Sequence, residues 1–237
     1  MTTNERLEPA LIRAAVVVVL GTIMAILDTT IVAVALRTLS IDFHATVSTI
    51  QWVTTGYLLS LAIVIPVSGW AMHRIGDKKV YMTSLALFVL GSLLCSFAWS
   101  AESLIVFRVL QGFGGGMIMP VGQAIMARTA GPQRMGRVMG IIGVPQLLGP
   151  ILGPVLGGLI VSNTSWRWIF IVNVPIGLVA LWLSRSFLAP TPSDKDHRFD
   201  SIGFALLAPG LGLVVYGLSE VGAVSYTHLT LPTNREV

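Results

Sequence analysis

The stretch VVVVLGTIMAILDTTIVAVAL, which runs from Val16 to Leu36, holds a single carboxylate, Asp28, among apolar or small residues. Neither a soluble protein core nor a lipid bilayer accepts an unpaired charge cheaply. Of the 237 residues in the chain, 54% are hydrophobic and 11% are charged, whereas ordinary soluble domains have roughly 45–50% and 25%. The composition therefore predicts an integral membrane protein in which Asp28 has a specific purpose.

Six apolar stretches are long enough to cross about 30 Å of hydrocarbon, since each crossing takes roughly 20 helical residues. They lie near residues 13–36, 49–71, 80–100, 103–127, 137–161 and 167–188. We therefore expect an all-α chain in five parts. These are a cytoplasmic tail (1–12), a six-helix transmembrane bundle (13–188), a cytoplasmic linker (189–201), a partial seventh helix (202–221) and a tail (222–237). The last part is polar and contains proline, so we expect it to be disordered, foreign sequence at the end of a truncated gene.

The basic residues between these stretches predict the orientation of the chain. With the N-terminus in the cytoplasm, eleven Lys and Arg residues lie inside and only Arg37 and Arg167 lie in outside connectors. The positive-inside rule favours this arrangement, in the cytoplasmic (inner) membrane. The eleven are Arg6, Arg13, Arg74, Lys78, Lys79, Arg128, Arg134, Arg137, Arg185, Lys195 and Arg198.

Several functional classes are excluded by what the sequence lacks. The formal net charge is +4, but the bases are dispersed between apolar runs and do not form the continuous patch that nucleic acid requires. The single cysteine, Cys95, has no partner for a disulfide and no metal-ligand spacing. The sequence has no ATP-binding loop and no hydrolase triad. We therefore expect no enzyme activity, no metal, no cofactor and no nucleic-acid partner.

The six predicted spans contain one clear acid, Asp28, and one clear base, Arg108. At 1.5 Å per helical residue, both fall in the outer half of the membrane and within about 8 Å of the same depth. An ionisable group at membrane depth usually marks the path of an ion or substrate. The alternative is a structural ion pair that fixes how the helices pack.

Small residues follow a four-residue period in two of the spans. In the fourth span, Arg108, Gly112, Gly116 and Pro120 share one stripe, and Gln111 lies beside it. We expect Thr29, Gln111, Gly112 and Gly116 to line a cavity around the charges. In the fifth span, Gly149, Gly153 and Gly157 form such a stripe, next to Pro150 and Pro154. This pattern predicts a kinked, closely packed helix, with dimerisation through the glycines as the alternative.

Five segments, in this order and spacing, resemble the N-terminal half of a major facilitator superfamily transporter and, within it, the fourteen-span drug:proton antiporters. They are LDTTIVAVAL (Leu27–Leu36), QWVTTGYLL (Gln51–Leu59), GWAMHRIGDKK (Gly69–Lys79), RVLQGFGGG (Arg108–Gly116) and GPILGPVLGG (Gly149–Gly158). SWRWIFIVNVPIG (Ser165–Gly177) and RFDSIG (Arg198–Gly203) are similar to the same branch.

The resemblance implies a 3+3 inverted repeat in the lipid bilayer, in which the first and fourth helices are equivalent, and a partner that is the missing C-terminal half. It implies proton-coupled export of small lipophilic compounds, with Asp28 carrying the proton and Arg108 adjusting its proton affinity. The antiporter motif would comprise Gly149, Pro150, Gly153, Pro154, Gly157 and Gly158, and the cytoplasmic loop motif would comprise Gly69, His73, Arg74, Gly76, Asp77 and Lys78.

The chain departs from the family pattern at four positions. Ala33 and Arg37 stand where the first-helix signature has asparagine and proline, and His73 and Asp77 stand where the loop motif has aspartate and arginine. His73 is therefore either a neutral loop residue or a latch that responds to cytoplasmic pH. Three other functions stay open: a metabolite or siderophore exporter, a membrane-embedded enzyme and a non-transporting half-unit. The enzyme would need a second polar cluster at membrane depth.

Overall fold

The computed structural model describes residues 9–194 and 199–228, and within these ranges every regular element is helical. The helices are α1 (Pro9–Asp42), α2 (Val47–Ile75), α3 (Asp77–Ser96), α4 (Ala101–Ala130), α5 (Met135–Asn163), α6 (Trp168–Ile171), α7 (Asn173–Phe187) and α8 (Ser201–His228). Six segments are long and apolar enough to cross a membrane, with α6 and α7 counted together. The predicted all-α membrane fold is therefore confirmed.

The helices extend beyond the predicted membrane crossings. α1 starts at Pro9, inside the expected N-terminal tail, and continues past Leu36 to Asp42. α2 continues to Ile75 and α3 starts at Asp77, so His73 is not a loop residue but lies in the last turn of a helix. Hydropathy locates the edge of the hydrocarbon, whereas a helix continues until a cap or a breaking residue stops it.

The seventh helix is also longer than expected. α8 runs from Ser201 to His228, seven residues past the predicted end at Val221. The expected disordered tail therefore starts within a helix, and its residues 229–237 lie outside the described residues. The linker is irregular over 189–194 and 199–200. Two of its bases, Lys195 and Arg198, lie outside the described residues, as does Arg6 of the N-terminal tail.

Turn chemistry explains where several helices begin and end. Gly76 alone separates α2 from α3 and has a φ of 88°, which is costly for any residue with a Cβ atom. At the start of α4, Ser100 and Ser103 exchange hydrogen bonds between their hydroxyls and backbone N–H groups, which forms a capping box. α6 ends at Ile171 and α7 begins at Asn173, two residues before Pro175, which has no N–H to donate to the Ile171 carbonyl.

The core consists of two apolar clusters at different levels of the bundle. One cluster includes Met24, Tyr57, Phe88 and Ile118. The other includes Ile31, Val53, Cys95, Leu104 and Phe170. On α1, Asp28 lies between Met24 of the first cluster and Ile31 of the second. The boundary between the clusters is therefore the level at which the membrane-embedded charge is found.

Candidate functional site

Asp28 of α1 is fully buried, and both of its carboxylate oxygens accept hydrogen bonds. Arg108 of α4 binds Oδ2 through Nη1 at 2.5 Å, and both side chains have no exposed area. Gln111 Nε2 and Asn173 Nδ2 donate to Oδ1 at 2.9 and 2.8 Å. The carboxylate therefore has three donors, which come from α4 and α7. Such donors stabilise the ionised form of a buried acid.

The Arg108 guanidinium lies among polar and aromatic groups from three helices. Its Nε donates to the Val53 carbonyl at 3.3 Å, and Nη1 also donates to Gln111 Oε1 at 2.6 Å. Its central carbon lies 3.9 Å from the centroid of the Tyr57 ring and 5.8 Å from that of Phe170. Stacking on an aromatic face stabilises a desolvated guanidinium. The cation is therefore held even though Nη2 finds no hydrogen-bond acceptor among the described residues.

Gln111 connects this ion pair to α3. Its Nε2 also donates to Ser92 Oγ at 2.7 Å, and its Oε1 accepts a weak bond from Cys95 Sγ at 3.7 Å. Gly91 allows the close approach, because a Cβ atom there would lie 2.6 Å from the Gln111 Cα. Gln111 is completely buried, so its amide belongs to the ion-pair network rather than to a cavity wall.

Three members of the network do not follow from the charge pattern that predicts Asp28 and Arg108. Asn173 and Ser92 donate or accept hydrogen bonds, and Tyr57 contributes its ring. The amide of Asn173 inside the apolar run WIFIVNVPIG is the signal that could have identified it, because an amide at membrane depth needs a partner. A serine or tyrosine in a span carries no comparable signal.

An apolar cavity of about 420 Å³ lies between α1, α2 and α4. Thr29 and Gly116 line it, together with Tyr57, Leu61 and Met119. Gly112 does not line this cavity, because its backbone packs on α2, where a Cβ atom would lie 2.7 Å from the Tyr57 carbonyl. No Asp, Glu, Lys or Arg is among the residues that line the cavity. Tyr57 is the residue that both lines the cavity and contacts Arg108.

The glycine stripe of α5 packs against α1. A Cβ atom added to Gly149, Gly153 or Gly157 would meet Ile26, Thr30 or Ile31, respectively. Thr30 Oγ1 also lies 3.5 Å from the Gly149 carbonyl oxygen. The stripe is therefore occupied by a helix of the same chain, and dimerisation through it is not needed to explain the pattern.

The other residues of the α5 motif face away from α1. Pro150 and Pro154 are exposed, and a Cβ atom on Gly158 would meet nothing within 4 Å. α5 is assigned as one continuous helix from Met135 to Asn163, although it contains Pro145, Pro150 and Pro154. The expected tight packing is thus on the face that carries Gly149, Gly153 and Gly157, and the face that carries Pro150 and Pro154 is exposed.

The predicted cytoplasmic loop motif is almost entirely helical. Gly69, His73 and Arg74 lie in α2, where Gly69 has nothing within 4 Å of its added Cβ position. Asp77 starts α3 and is 1% exposed, and its Oδ2 lies 3.1 Å from Nη1 of the half-exposed Arg128. Asp77, which replaces the motif arginine, therefore pairs with a cation at the end of α4.

The segment after α7 packs across this α2–α3 turn. Thr191 Oγ1 accepts a hydrogen bond from the Asp77 N–H at 2.8 Å, and the Asp194 N–H donates to the His73 carbonyl at 2.8 Å. Lys78 Nζ donates to the Leu188 carbonyl at 2.5 Å. A Cβ atom on Gly76 would lie 2.9 Å from the Thr191 carbonyl oxygen. The start of the linker is thus fixed to the motif.

The two ends of the bundle differ in charge. The first end, which we call the basic end, contains the start of α1, the α2–α3 and α4–α5 turns and the end of α7. It carries Arg13, Arg74, Lys78, Lys79, Arg128, Arg134, Arg137 and Arg185. At the opposite end, Asp42 accepts a hydrogen bond from Trp166 Nε1 at 2.7 Å and lies 3.9 Å from Arg167 Nη1. Residues 9–194 and 199–228 contain no cluster of three or more His, Cys, Asp or Glu side chains that could hold a metal ion.

Most of the chain matches a known protein family. The family model of the Major Facilitator Superfamily matches residues 18–230. The Multidrug resistance protein B homolog of Mycobacterium tuberculosis is 47% identical over 231 residues, which cover 96% of this chain and 43% of that protein. The Putative multidrug resistance protein MdtD of Yersinia enterocolitica is 38% identical over 202 residues, which cover 85% of this chain and 43% of that protein.

The fold is also similar to that of a solved transporter. The crystal structure of the human organic anion transporter MFSD10 (TETRAN) matches with a TM-score of 0.66 at 18% sequence identity. The match covers 87% of this chain and 55% of that chain. The chain spans less than half the length of the two curated relatives named above.

Proposed function

Since this chain belongs to the major facilitator superfamily, whose members are transporters rather than enzymes, we propose that it forms one half of a proton-coupled antiporter. The complete transporter would export small lipophilic compounds, including drugs, from the cytoplasm. A second helical half would supply the other wall of the substrate cavity, because alternating access in this superfamily rocks two halves about a central site.

The observation that carries this proposal is the complete burial of Asp28 in the network of Arg108, Gln111 and Asn173. A carboxylate at membrane depth is costly, and proton relays are among the functions that repay that cost. In the described conformation no part of Asp28 is exposed, so water can deliver a proton to it only after the surrounding side chains or helices move apart. Proton uptake would therefore be tied to a change of conformation.

Arg108 would set the balance between the two protonation states of Asp28. Its positive charge stabilises the carboxylate, and its own remaining contacts with Val53, Gln111 and Tyr57 hold it in place when Asp28 becomes neutral. The pair would open when the cavity faces outward, take up a proton, and release it when the cavity faces the cytoplasm. No bond of the substrate would change.

The cavity supports a lipophilic substrate. Its volume of about 420 Å³ lies within the usual range for small-molecule sites, which is roughly 300–1,000 Å³. Apolar side chains such as Ile26, Leu61 and Met119 line most of it, and Thr29 and Gln123 add polar groups. The names of the relatives, both described as multidrug resistance proteins, support the same class of substrate.

We further propose that the chain lies in the cytoplasmic (inner) membrane with its N-terminus and its basic end in the cytoplasm. Eight described bases lie at that end, whereas Arg37 and Arg167 lie towards the other. The positive-inside rule supports this orientation. Substrate would then enter from the side on which the linker packs against the α2–α3 turn, and it would leave on the side of Asp42.

The proposal is tested by transport in proteoliposomes that contain the complete transporter. Asp28→Asn should abolish substrate uptake driven by a pH gradient, while substrate exchange without a gradient should continue. Glu102→Gln is the matched control, because it removes one negative charge at an exposed position of α4. Uptake by Asp28→Asn at the wild-type rate would refute proton coupling through this residue, and a panel of metabolites, siderophores and drugs would define the substrate.

A further inference from the structure

We propose that Asn173 is the positioning residue that links the proton occupancy of Asp28 to the helix break between α6 and α7. This inference rests on the proposed function, since it assigns a regulatory partner to the proton site described above. It concerns a residue that touches the carboxylate through one hydrogen bond of 2.8 Å.

The break places Asn173 at the first position of α7. Pro175 cannot donate a hydrogen bond to the Ile171 carbonyl, and α6 ends at that residue. The Asn173 side chain is 3% exposed and points into the bundle towards α1. Val172, between the two helices, keeps helical dihedral angles (φ −59°, ψ −31°), but the turn lacks the hydrogen bond that Pro175 cannot donate. Asn173 therefore joins Asp28 to a turn that has fewer backbone hydrogen bonds than an intact helix.

Asn173 differs from the other two donors in what remains when Asp28 gains a proton. Arg108 keeps its bonds to the Val53 carbonyl and to Gln111, and Gln111 keeps its bond to Ser92. Among the described residues, the Asn173 side chain makes its hydrogen bond to Asp28 alone. A hydrogen bond to an ionised acceptor is about twice as strong as a neutral one. Neutralising Asp28 therefore weakens this hydrogen bond of the Asn173 side chain, whereas Arg108 and Gln111 keep their bonds to other groups.

The charged and titratable groups that face Asp28 do not provide this link themselves. They are Arg108 on α4, Tyr57 on α2 and Cys95 on α3. Arginine stays charged, and tyrosine and cysteine are ordinarily neutral near pH 7. Among the described residues, α5 and α7 bring no titratable side chain to Asp28. The amide of Asn173 is therefore the group on α7 that can respond to the charge of Asp28.

The geometry gives a defined sequence of events. With Asp28 ionised, Asn173 is held against α1 and the break is closed. When Asp28 takes up a proton, the Asn173 amide loses the charged acceptor that held it, and the hydrogen bond weakens. The backbone around the break then gains freedom to move, up to Gly177, where α7 packs closely on α3 and α1, because an added Cβ atom would collide with Val89 and lie 3.2 Å from Met24 Sδ.

The test uses the 237-residue chain in lipid nanodiscs and measures the infrared carboxylic-acid band of Asp28 as a function of pH, identified by its loss in Asp28→Asn. Asn173→Leu keeps roughly the side-chain size and Asn173→Ala shortens it, and both remove the donor without adding a titratable group. Both should move the midpoint of Asp28 protonation upward by about one pH unit or more, since a hydrogen bond to a charged group is lost. Asn163→Leu, the same change at an exposed position of α5, should leave the midpoint unchanged.

The second measurement is hydrogen–deuterium exchange of the backbone around the break. After correction for the intrinsic pH dependence of amide exchange, residues 172–177 of wild type should be less protected below the midpoint than above it, and those of Asn173→Leu should be weakly protected at both pH values. If one variant fails to insert, the other carries the test, because the two differ in side-chain size. A wild-type midpoint and wild-type exchange in either inserted variant would overturn the inference.

The outcome separates this inference from the proposed function. If Asp28→Asn abolishes coupled transport in the complete transporter but Asn173 variants titrate as wild type, the proton site stands and the role of Asn173 is wrong. If Asp28→Asn transports normally, the proposed function fails whatever Asn173 does. A shifted midpoint together with unchanged exchange would also reject the link to the break, since Asn173 would then influence Asp28 without transmitting its charge.

Discussion

Asp28 and Arg108 form a fully buried ion pair that joins α1 to α4 at the boundary between the two apolar clusters. Replacing one member of such a pair leaves an uncompensated charge, whereas well-packed apolar replacements of both members are often tolerated. Stability alone therefore does not account for the pair. Arg108 stacks on Tyr57, which lines the cavity, and this position is consistent with the proton-coupling role proposed for Asp28.

Gly153→Val should disrupt the packing of α5 on α1. The added Cβ atom would collide with the Thr30 side chain, and overpacking of this kind costs about 1–3 kcal/mol. Gly158→Val is the matched control, because it lies on the same helix and its Cβ atom meets nothing within 4 Å. Thermal unfolding in detergent should show a lower midpoint for Gly153→Val alone. Equal midpoints for the two variants would show that the α1–α5 contact does not stabilise the bundle.

Much of this fold follows from the sequence, since hydropathy alone locates the six membrane crossings. The Asp28–Arg108 pair also follows, because two opposite charges at one depth in hydrocarbon are most stable when they meet. It is harder to predict where a side chain points when it lies next to a stripe of small residues on a helix. Gln111 lies a turn of about 100° from Gly112 in projection, and the close approach of Gly91 draws it into the ion-pair network.

The remaining differences have separate physical causes. Asn173 could not be assigned to Asp28, because the contact spans 145 residues and depends on how α7 packs on α1. α1 and α2 continue beyond their apolar stretches, since polar residues beyond the bilayer continue a helix when no cap stops them. Asp77 could not be paired with Arg128 from the motif, because this chain reverses the charge expected at that position.

The orientation predicts which positions react with a membrane-impermeant thiol reagent. With Cys95 replaced by serine, a cysteine at Glu102 should be labelled from the outside, and cysteines at Lys79 or Gln133 should not. All three positions are exposed, whereas Lys78 is held by the Arg185 and Leu188 carbonyls and is a poorer reporter. Labelling of 79 and 133 but not 102 in intact cells would reverse the assignment of the two ends.

Arg128→Gln should lower the thermal stability of the chain slightly, because it removes the ion pair with Asp77 at the basic end. Arg128 is 49% exposed, so solvent screens its attraction to Asp77, and such pairs contribute at most about 1 kcal/mol. Arg128→Lys, which keeps the charge beside the buried Asp77, should retain part of the stability that Arg128→Gln loses, as measured by thermal unfolding. Lys79→Gln, an exposed neighbour, serves as the control and should have no effect. Equal losses for Arg128→Lys and Arg128→Gln would show that the charge of Arg128 is not the relevant contribution.

The chain alone should insert into a membrane without transporting. Its apolar cavity is lined by α1, α2 and α4, and the proposed mechanism requires a second half to close the opposite wall. Vesicles that contain only residues 1–237 should therefore show the labelling pattern above but no proton-driven dye efflux. Efflux from such vesicles, at a rate that Asp28→Asn abolishes, would show that one half suffices.

The most direct test of the central claim is substrate-induced proton release from proteoliposomes that contain the complete transporter. Asp28→Asn should bind substrate but release no proton, and Arg108→Gln should release fewer, since the carboxylate loses the cation that stabilises its ionised form. The double variant, Asp28→Asn with Arg108→Gln, removes both charges and should insert better than either single variant, yet it should still release no proton. Full proton release and coupled transport in the double variant would show that Asp28 and Arg108 are only a structural pair.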